Sequence, residues 1–254
     1  MKKIILKIYY CFVLSKEKAN LYQKRARDIE WDAIKLYIKQ ELFLDVGCGA
    51  GYSMKKAMEE FNCICSGIDP NPYEHGVGRI NSNYNVGIDN ILYGKAENIP
   101  FPDNYFDTVY SSHVLEHVED KAKSLQEMKR VLKDNGILII GMPTATMAVI
   151  NLITQVLFAT HTKIVNLLFS KFINTGKIKW WEIFIPVSHS NTSKTVISDI
   201  YNYRVKRWTA IIEQNFVITK VIKPALYPYP EYRQLFKLRI SKRFSSSIFY
   251  ICIK

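Results

Sequence analysis

Disulfide-framework spacing is absent: the five cysteines (Cys11, Cys48, Cys63, Cys65 and Cys252) are an odd, scattered set in 254 residues. That excludes a disulfide scaffold and makes a reducing, cytoplasmic setting the expectation. Cys63-Ile64-Cys65 has no histidine beside it, and alternate positions on a strand share one face, so no metal site is read there. Nor is a cleavable leader expected at the start. Met1 to Leu14 opens with Lys2 and Lys3 before Ile4, Ile5 and Leu6, but Lys7 breaks the apolar run and no small-residue cleavage site follows. The stretch reads as an amphipathic lead-in that can touch a membrane surface. Charge is missing altogether from Asn135 to Thr162. A membrane span needs about twenty mostly apolar residues, and Thr144, Thr146, Asn151, Thr154, Gln155 and His161 dilute this one too far.

What is present has the bulk character of an ordinary globular protein, with 48% hydrophobic and 23% charged residues. The length suits one α/β domain with an insertion. The net charge of +12 is unevenly spread. Residues 1–40 carry ten Lys/Arg against four Asp/Glu, residues 41–159 carry nine against fifteen, and residues 160–254 carry sixteen against four. An acidic middle lies between two basic flanks. Basic surfaces favour phosphate, in nucleic acid, anionic lipid headgroups or a phosphorylated carrier, and they also serve simply as a solvated face.

The stretch that organises the chain is Leu42-Phe43-Leu44-Asp45-Val46-Gly47-Cys48-Gly49-Ala50-Gly51. A short apolar strand ends in an acid and breaks into a loop with glycine at every second position. Tyr52 to Phe61 then has helix-forming composition. Strand, glycine loop and helix bring a ligand against bare backbone amides. A second buried strand, Cys63 to Ile68, ends at Asp69-Pro70, eighteen residues past Gly51. A carboxylate there offers two acceptor oxygens to the two hydroxyls of a ribose. Ile91 to Tyr93, Phe106 to Ser111 and Ile137 to Gly141 read as further strands, and Lys121 to Lys133 reads as an amphipathic helix stopped by Asp134-Asn135-Gly136. Arg204 to Asn215 is a helix around Trp208, followed by strands Phe216 to Ile222 and Ser247 to Ile253.

The spacing G-x-G-x-G after Asp45, with Tyr52 where a dinucleotide fingerprint needs its third glycine, resembles the first motif of the class I S-adenosylmethionine-dependent methyltransferases. Two later stretches strengthen the resemblance. Gly94-Lys95-Ala96-Glu97-Asn98-Ile99-Pro100-Phe101 is similar to the family's adenine loop, and Ser112-His113-Val114-Leu115-Glu116-His117-Val118 is similar to its "HVLEHV" turn. The resemblance is good over residues 20–143 and holds in outline over 200–254. It implies a doubly wound, mostly parallel seven-stranded α/β sheet (Rossmann-like) whose last strand is antiparallel, with a helical insertion after strand 5. It also implies S-adenosylmethionine as cofactor and Asp45, Gly47, Cys48, Gly49, Gly51, Asp69, Pro70, Ala96, Glu97, Asn98 and Ser111 as cofactor-binding residues. His113 then faces cofactor or substrate and His117 is a structural contact. In the family a leading helix such as Lys16 to Gln40 packs near the cofactor mouth, where Tyr22 packs or closes over it.

On this reading the chain divides into a lead-in (1–40), a cofactor core (41–143), an apolar helical insertion (144–199) and a C-terminal helix and hairpin (200–254). In the insertion, Asn151, Gln155, Thr162, Asn166 and Ser170 form a narrow polar stripe, with Ile150, Ile153, Leu157, Ile164, Leu168 and Phe172 elsewhere. Helices of this kind must bury their surface in a core, a partner, a bilayer face or around a greasy substrate. Lys177, Lys179, Trp180 and Trp181 add a basic, aromatic cluster of the sort found at membrane interfaces. His189 falls where related enzymes often place a histidine near the substrate, so His113 and His189 are the candidate bases. The expectation is methyl transfer to a small, glycan-linked or lipid-linked acceptor, with peripheral membrane contact through 144–185. An RNA methyltransferase, for which no appended RNA-binding motif is visible, and a catalytically silent binding protein are the alternatives. The acceptor and the oligomeric state stay open.

Overall fold

In the computed structural model, residues 4–5, 8, 16–39, 41–72, 74, 90–155, 160–170, 188, 190, 195–224, 226 and 244–254 are described. Helix α1 (Lys16–Ile34) runs into a short 3-10 turn (Lys35–Tyr37), then come β1 (Leu42–Val46), α2 (Tyr52–Phe61), β2 (Ile64–Asp69), β3 (Ile91–Tyr93) and β4 (Phe106–Ser112). After them follow α3 (Lys121–Val131), β5 (Leu132–Pro143), α4 (Ala145–Thr154), α5 (Thr160–Phe169), α6 (Val196–Asn202), α7 (Val205–Ile212), β6 (Val217–Ile222) and β7 (Ser247–Ile253). The strands form one sheet in the order β3-β2-β1-β4-β5-β7-β6. The first five are mutually parallel, and β7 lies antiparallel between β5 and β6. The expected sheet, with its reversed last strand and a helical pair after β5, is therefore found.

Period-two alternation sends the strand side chains to two cores. Phe43, Tyr110, Ile139, Phe249 and Ile251 meet Trp31 and Ile34 of α1 and Met54 and Ala57 of α2 on one face. Leu44, Val46, Val109, Leu138, Ile140, Ile248 and Tyr250 meet Leu125 and Met128 of α3 and Trp208 and Ile212 of α7 on the other. Burial on both faces explains why the central strands are nearly continuous apolar runs. The aromatic rings of Trp31, Phe43 and Tyr110 lie 6.0–6.5 Å apart by centroid and fix α1 across β1 and β4.

Two local readings change. α3 stops at Val131, two residues short of Lys133, and Asp134-Asn135-Gly136 lies inside β5 rather than capping a helix. Leu132 is a core side chain that pairs with Phe106, and the register then slips so that Thr108 meets Ile137. The strand absorbs the turn-like residues as an irregularity, and Lys133 Nζ donates to both carboxylate oxygens of Asp107 at 2.8 Å. In α4 the polar residues point inward. Asn151 and Thr154 are buried, while Val149 and Ile153 are exposed. Ile164, Leu167 and Leu168 are exposed on α5. Among the described residues no helix is long and apolar enough to cross a membrane.

Candidate functional site

The sheet reverses its winding between β1 and β4, and ligands of open α/β sheets lie beyond the carboxyl ends of the strands at that point. The β1 end is shaped by glycine. Gly47, Gly49 and Gly51 all have positive φ (78°, 55° and 81°), a region that L side chains rarely enter. A Cβ on Gly47 would lie 2.3 Å from Val114 Cγ2, so the loop after β1 is pressed against the turn after β4. Gly47 and Cys48 donate their N–H groups to the Ile68 carbonyl (2.8 and 3.1 Å). Gly49 N–H donates to Asp69 Oδ2 at 2.9 Å, and Asn71 N–H donates to Asp69 Oδ1 at 2.8 Å. The glycine loop and the acid ending β2 thus share a hydrogen bond, and each Asp69 oxygen keeps a further lone pair for a ligand hydroxyl. The first turn of α2, opening at Tyr52, presents amides that have no intrahelical acceptor.

Asp45 is buried behind this loop. Burial, with the Asp69 charge added, pushes its carboxyl up to about 8, against a smaller pull from Ser53. Burial raises the Cys48 thiol, so that side chain is an inert filler of the loop. Gly94 N–H donates to the Asp69 carbonyl at 3.2 Å, which brings the 94–98 loop up against the β2 end. Ala96 is buried, Glu97 is half-buried, and Asn98 and Pro70 are exposed. The loop is braced from α3: Glu127 Oε2 accepts from Ile99 N–H at 2.9 Å, and Arg130 donates to the Ile99 and Phe101 carbonyls at 2.8 and 2.7 Å. Ser111 pairs with Val46 and Ile140 at the top of β4. Its buried hydroxyl has no partner among the described residues.

His113 follows β4 in the left-handed region (φ 58°) and is nearly buried. Its Nε2 lies 3.4 Å from Glu30 Oε1 and its Nδ1 3.5 Å from Glu116 Oε1, both carboxylates being fully buried. Burial and the Arg27 charge press the imidazole toward neutrality, but the two carboxylates outweigh them and raise it. An imidazolium so placed donates to Glu30 and lies within ion-pair range of Glu116. Burial alone would raise Glu30; the Arg27 guanidinium, His113 and Ser247 hold it well below the usual carboxylate range. His117 is half-exposed, with Nε2 4.0 Å from Glu116 Oε1. Beside it, Ser190 Oγ donates to the Glu116 carbonyl at 2.5 Å and Ser188 Oγ to Asp199 at 2.9 Å, so the tail of the insertion reaches the β4 turn. His189 lies outside the described residues, as do Lys177, Lys179, Trp180 and Trp181.

The carboxyl ends of β1, β2 and β4 and the loops after them carry Asp45, Gly47, Cys48, Gly49, Gly51, Asp69, Pro70, Ser111 and His113, and the loop after β3, tied to Asp69 through Gly94, carries Ala96, Glu97 and Asn98. Sequence reading passed over Glu30, Glu116 and the Asp28–Tyr52 hydrogen bond, in which the Tyr52 hydroxyl donates to Asp28 Oδ1. A signal existed for one of them: Ala26, Glu30 and Ile34 recur at helical spacing and are all under 3% exposed, so an acid sits in the buried stripe of α1. Tyr22 lies beside Arg25, 6.0 Å from guanidinium carbon to ring centroid. Among the described residues no group of three or more His, Cys, Asp or Glu side chains is arranged to hold a metal ion.

Residues 44–140 match the family model described as a methyltransferase domain. Ajmaline N-methyltransferase of Rauvolfia serpentina is 31% identical over 109 residues, covering 40% of this chain and 36% of that protein. The ubiquinone/menaquinone biosynthesis C-methyltransferase UbiE of Vibrio cholerae is 36% identical over 101 residues, covering 38% of this chain and 39% of that protein. The chain thus spans under two fifths of the length of these curated relatives. The crystal structure of an S-adenosylmethionine-dependent methyltransferase from Thermotoga maritima, a possible histamine N-methyltransferase, superposes with a TM-score of 0.57. The match covers 98% of this chain and 99% of that one at 18% identity, and it speaks for the fold.

Proposed function

We propose, from a chain whose residues 44–140 match the methyltransferase domain family model, that this protein transfers a methyl group from S-adenosylmethionine to a small, glycan-linked or lipid-linked acceptor at the cytoplasmic face of a membrane. The observation that carries the methyl-transfer part is the Gly49–Asp69 hydrogen bond at the switch point. It sets a backbone-lined anion site beside a ribose acceptor. The residues fit the cofactor by three features of their own: a loop in which a Cβ on Gly47 would collide with Val114, an Asp69 carboxylate with lone pairs to spare, and the orphaned Ser111 hydroxyl.

When bound, S-adenosylmethionine supplies an electrophilic methyl on a cationic sulfur. The α2 N-terminus and the glycine loop take its carboxylate, Asp69 accepts from its ribose hydroxyls, and Glu97, Asn98 and neighbouring backbone meet its adenine. The acidic middle of the chain favours the ammonium and sulfonium charges. What remains is positioning, with an acceptor atom about 3–3.5 Å from the methyl carbon and in line with sulfur. A nitrogen or activated carbon acceptor needs no base. A hydroxyl acceptor gains roughly 10²–10⁴-fold from one, with His113 and His189 as the candidates. His113 serves only after giving up the proton its two carboxylates favour.

The acceptor's character is read from the insertion. Val149, Ile153, Ile164, Leu167 and Leu168 stand exposed on two helices that follow the strand beside the site. Residues 160–254, with sixteen Lys/Arg to four Asp/Glu, supply the charge that an anionic bilayer attracts. Calorimetry with S-adenosylmethionine tests the cofactor: heat from the intact protein and none from Asp69→Ala is expected, and no heat from the intact protein overturns the reading. Transfer of labelled methyl into a lysate fractionated into lipid, glycan, RNA and protein identifies the acceptor. Label in lipid or glycan is expected, and label in RNA assigns the basic flanks to phosphate contacts instead.

A further inference from the structure

α1 enters the molecule from above the site. Lys39 N–H donates to Thr108 Oγ1 near the amino end of β4, whereas Glu30 meets His113 just past its carboxyl end. The helix therefore climbs the sheet backwards along the chain. At 1.5 Å per residue its first turn lies about 20 Å from Glu30 along the helix axis. Polar contacts tie this part down on two sides. On the β1 side Asp28 accepts from the hydroxyl of Tyr52, the residue that follows Gly51, with Lys24 at 2.9 Å and Lys56 at 3.8 Å from the same carboxylate. On the β4 side Glu30 meets His113. The two contacts straddle the switch point.

A carboxylate in the buried stripe of a helix costs several kcal/mol unless it is matched, so Glu30 has a price that packing alone does not explain. The groups facing it and His113 are Arg27 from α1, Glu116 and His117 from the β4 turn, and Ser247 from the start of β7; Lys121, at the start of α3, faces Glu116. With His113 charged, the two acids and two bases at the centre of this group balance. His113 also holds a left-handed backbone, which its surroundings must over-determine.

We propose that Glu30 is a positioning residue: through His113 it fixes α1 as one wall of the crevice at the switch point, with the Asp28–Tyr52 contact as the second fastening. The inference rests on the methyl-transfer reading only for what the crevice holds. It is tested on the full chain with Glu30→Gln. The His113 ring proton, followed by NMR, is expected to titrate lower by about one pH unit or more. Amide exchange across α1 quickens while β1 and β4 hold, and S-adenosylmethionine binds about tenfold more weakly. An unchanged His113 titration with unchanged α1 exchange overturns the proposal. If Glu30→Gln does not fold, Tyr52→Phe tests the wall from its other fastening. It deletes one hydroxyl, and faster exchange over residues 22–28 with a few-fold loss of cofactor affinity is expected, against no change in either if α1 is merely packed. Should the unmodified protein fail to bind S-adenosylmethionine at all, the cofactor reading falls while the titration and exchange arms still decide the role of Glu30.

Discussion

The rims after β1 and β2 and the helices after β5 are built on opposite plans. The first is specified atom by atom: three glycines in a backbone region that disfavours other residues, and an acid whose two oxygens each take a named amide. The second is loosely determined. α4 buries Asn151, whose side-chain oxygen has no partner among the described residues, and turns Val149 and Ile153 outward. A surface with fixed donors and acceptors selects one ligand, while an apolar surface tolerates many. Under the proposed function, the constant partner, the cofactor, belongs to the first region and the acceptor with its greasy surroundings to the second.

The sharpest way to break the first region is Gly47→Ala. The new methyl group meets Val114 at 2.3 Å in a backbone region that disfavours it. Left-handed strain and overpacking together predict a loss of about 3 kcal/mol, read from chemical denaturation. A loss under 1 kcal/mol would mean that the loop is not pressed against the β4 turn. Asp69→Ala comes next. It strips an acceptor from Gly49 and Asn71 as well as from the ribose, and about a hundredfold loss of cofactor affinity is expected. Binding to vesicles should be unaffected, since the second region is untouched. Reversing the design, Ile153→Lys with Leu168→Lys places charge on two exposed apolar positions. Flotation with anionic vesicles should drop about tenfold while cofactor affinity and melting temperature hold. If flotation persists, the apolar faces of α4 and α5 are not the docking surface.

The same contrast governs what could be read from sequence. β7 has the predicted bounds, β1 lies where the apolar run was read, and the glycine loop and Asp69 meet as expected. Those features are local: a run of apolar residues, a spacing, an acid at a strand end. The fastening of α1 was not legible, because Glu30 and His113 are 83 residues apart and only the sheet topology brings them together. Leu132 shows a different limit. A turn-like Asp134-Asn135-Gly136 argues for a helix stop, yet strand pairing begins two residues earlier, because burying Leu132 and pairing it with Phe106 outweigh local turn preference. In the insertion, periodicity located the polar stripe but not its direction. Whether Asn151 faces core or solvent depends on what α4 packs against, here α6.

The smallest expected effect reaches deepest into the first region. Asp45 is held protonated up to about 8 by burial and by the nearby Asp69 charge. In the unfolded chain the same group titrates near 4. The folded state therefore holds a proton that the unfolded state has lost. Its stabilising contribution is complete below about pH 4, declines as the pH rises and is gone above about pH 8. Asp45→Asn removes that slope, which denaturation across this range would show. A cation arriving beside Asp69 acts in the opposite sense, favouring the charged form of Asp45. Binding of S-adenosylmethionine at neutral pH should then release up to one proton. Calorimetry in buffers of different ionisation enthalpy measures it directly, and Asp45→Asn should abolish it. Equal heats in all buffers for the unmodified protein would show that the sulfonium lies too far from the acid pair to be felt, and would move the cofactor's charged end away from the β1 rim.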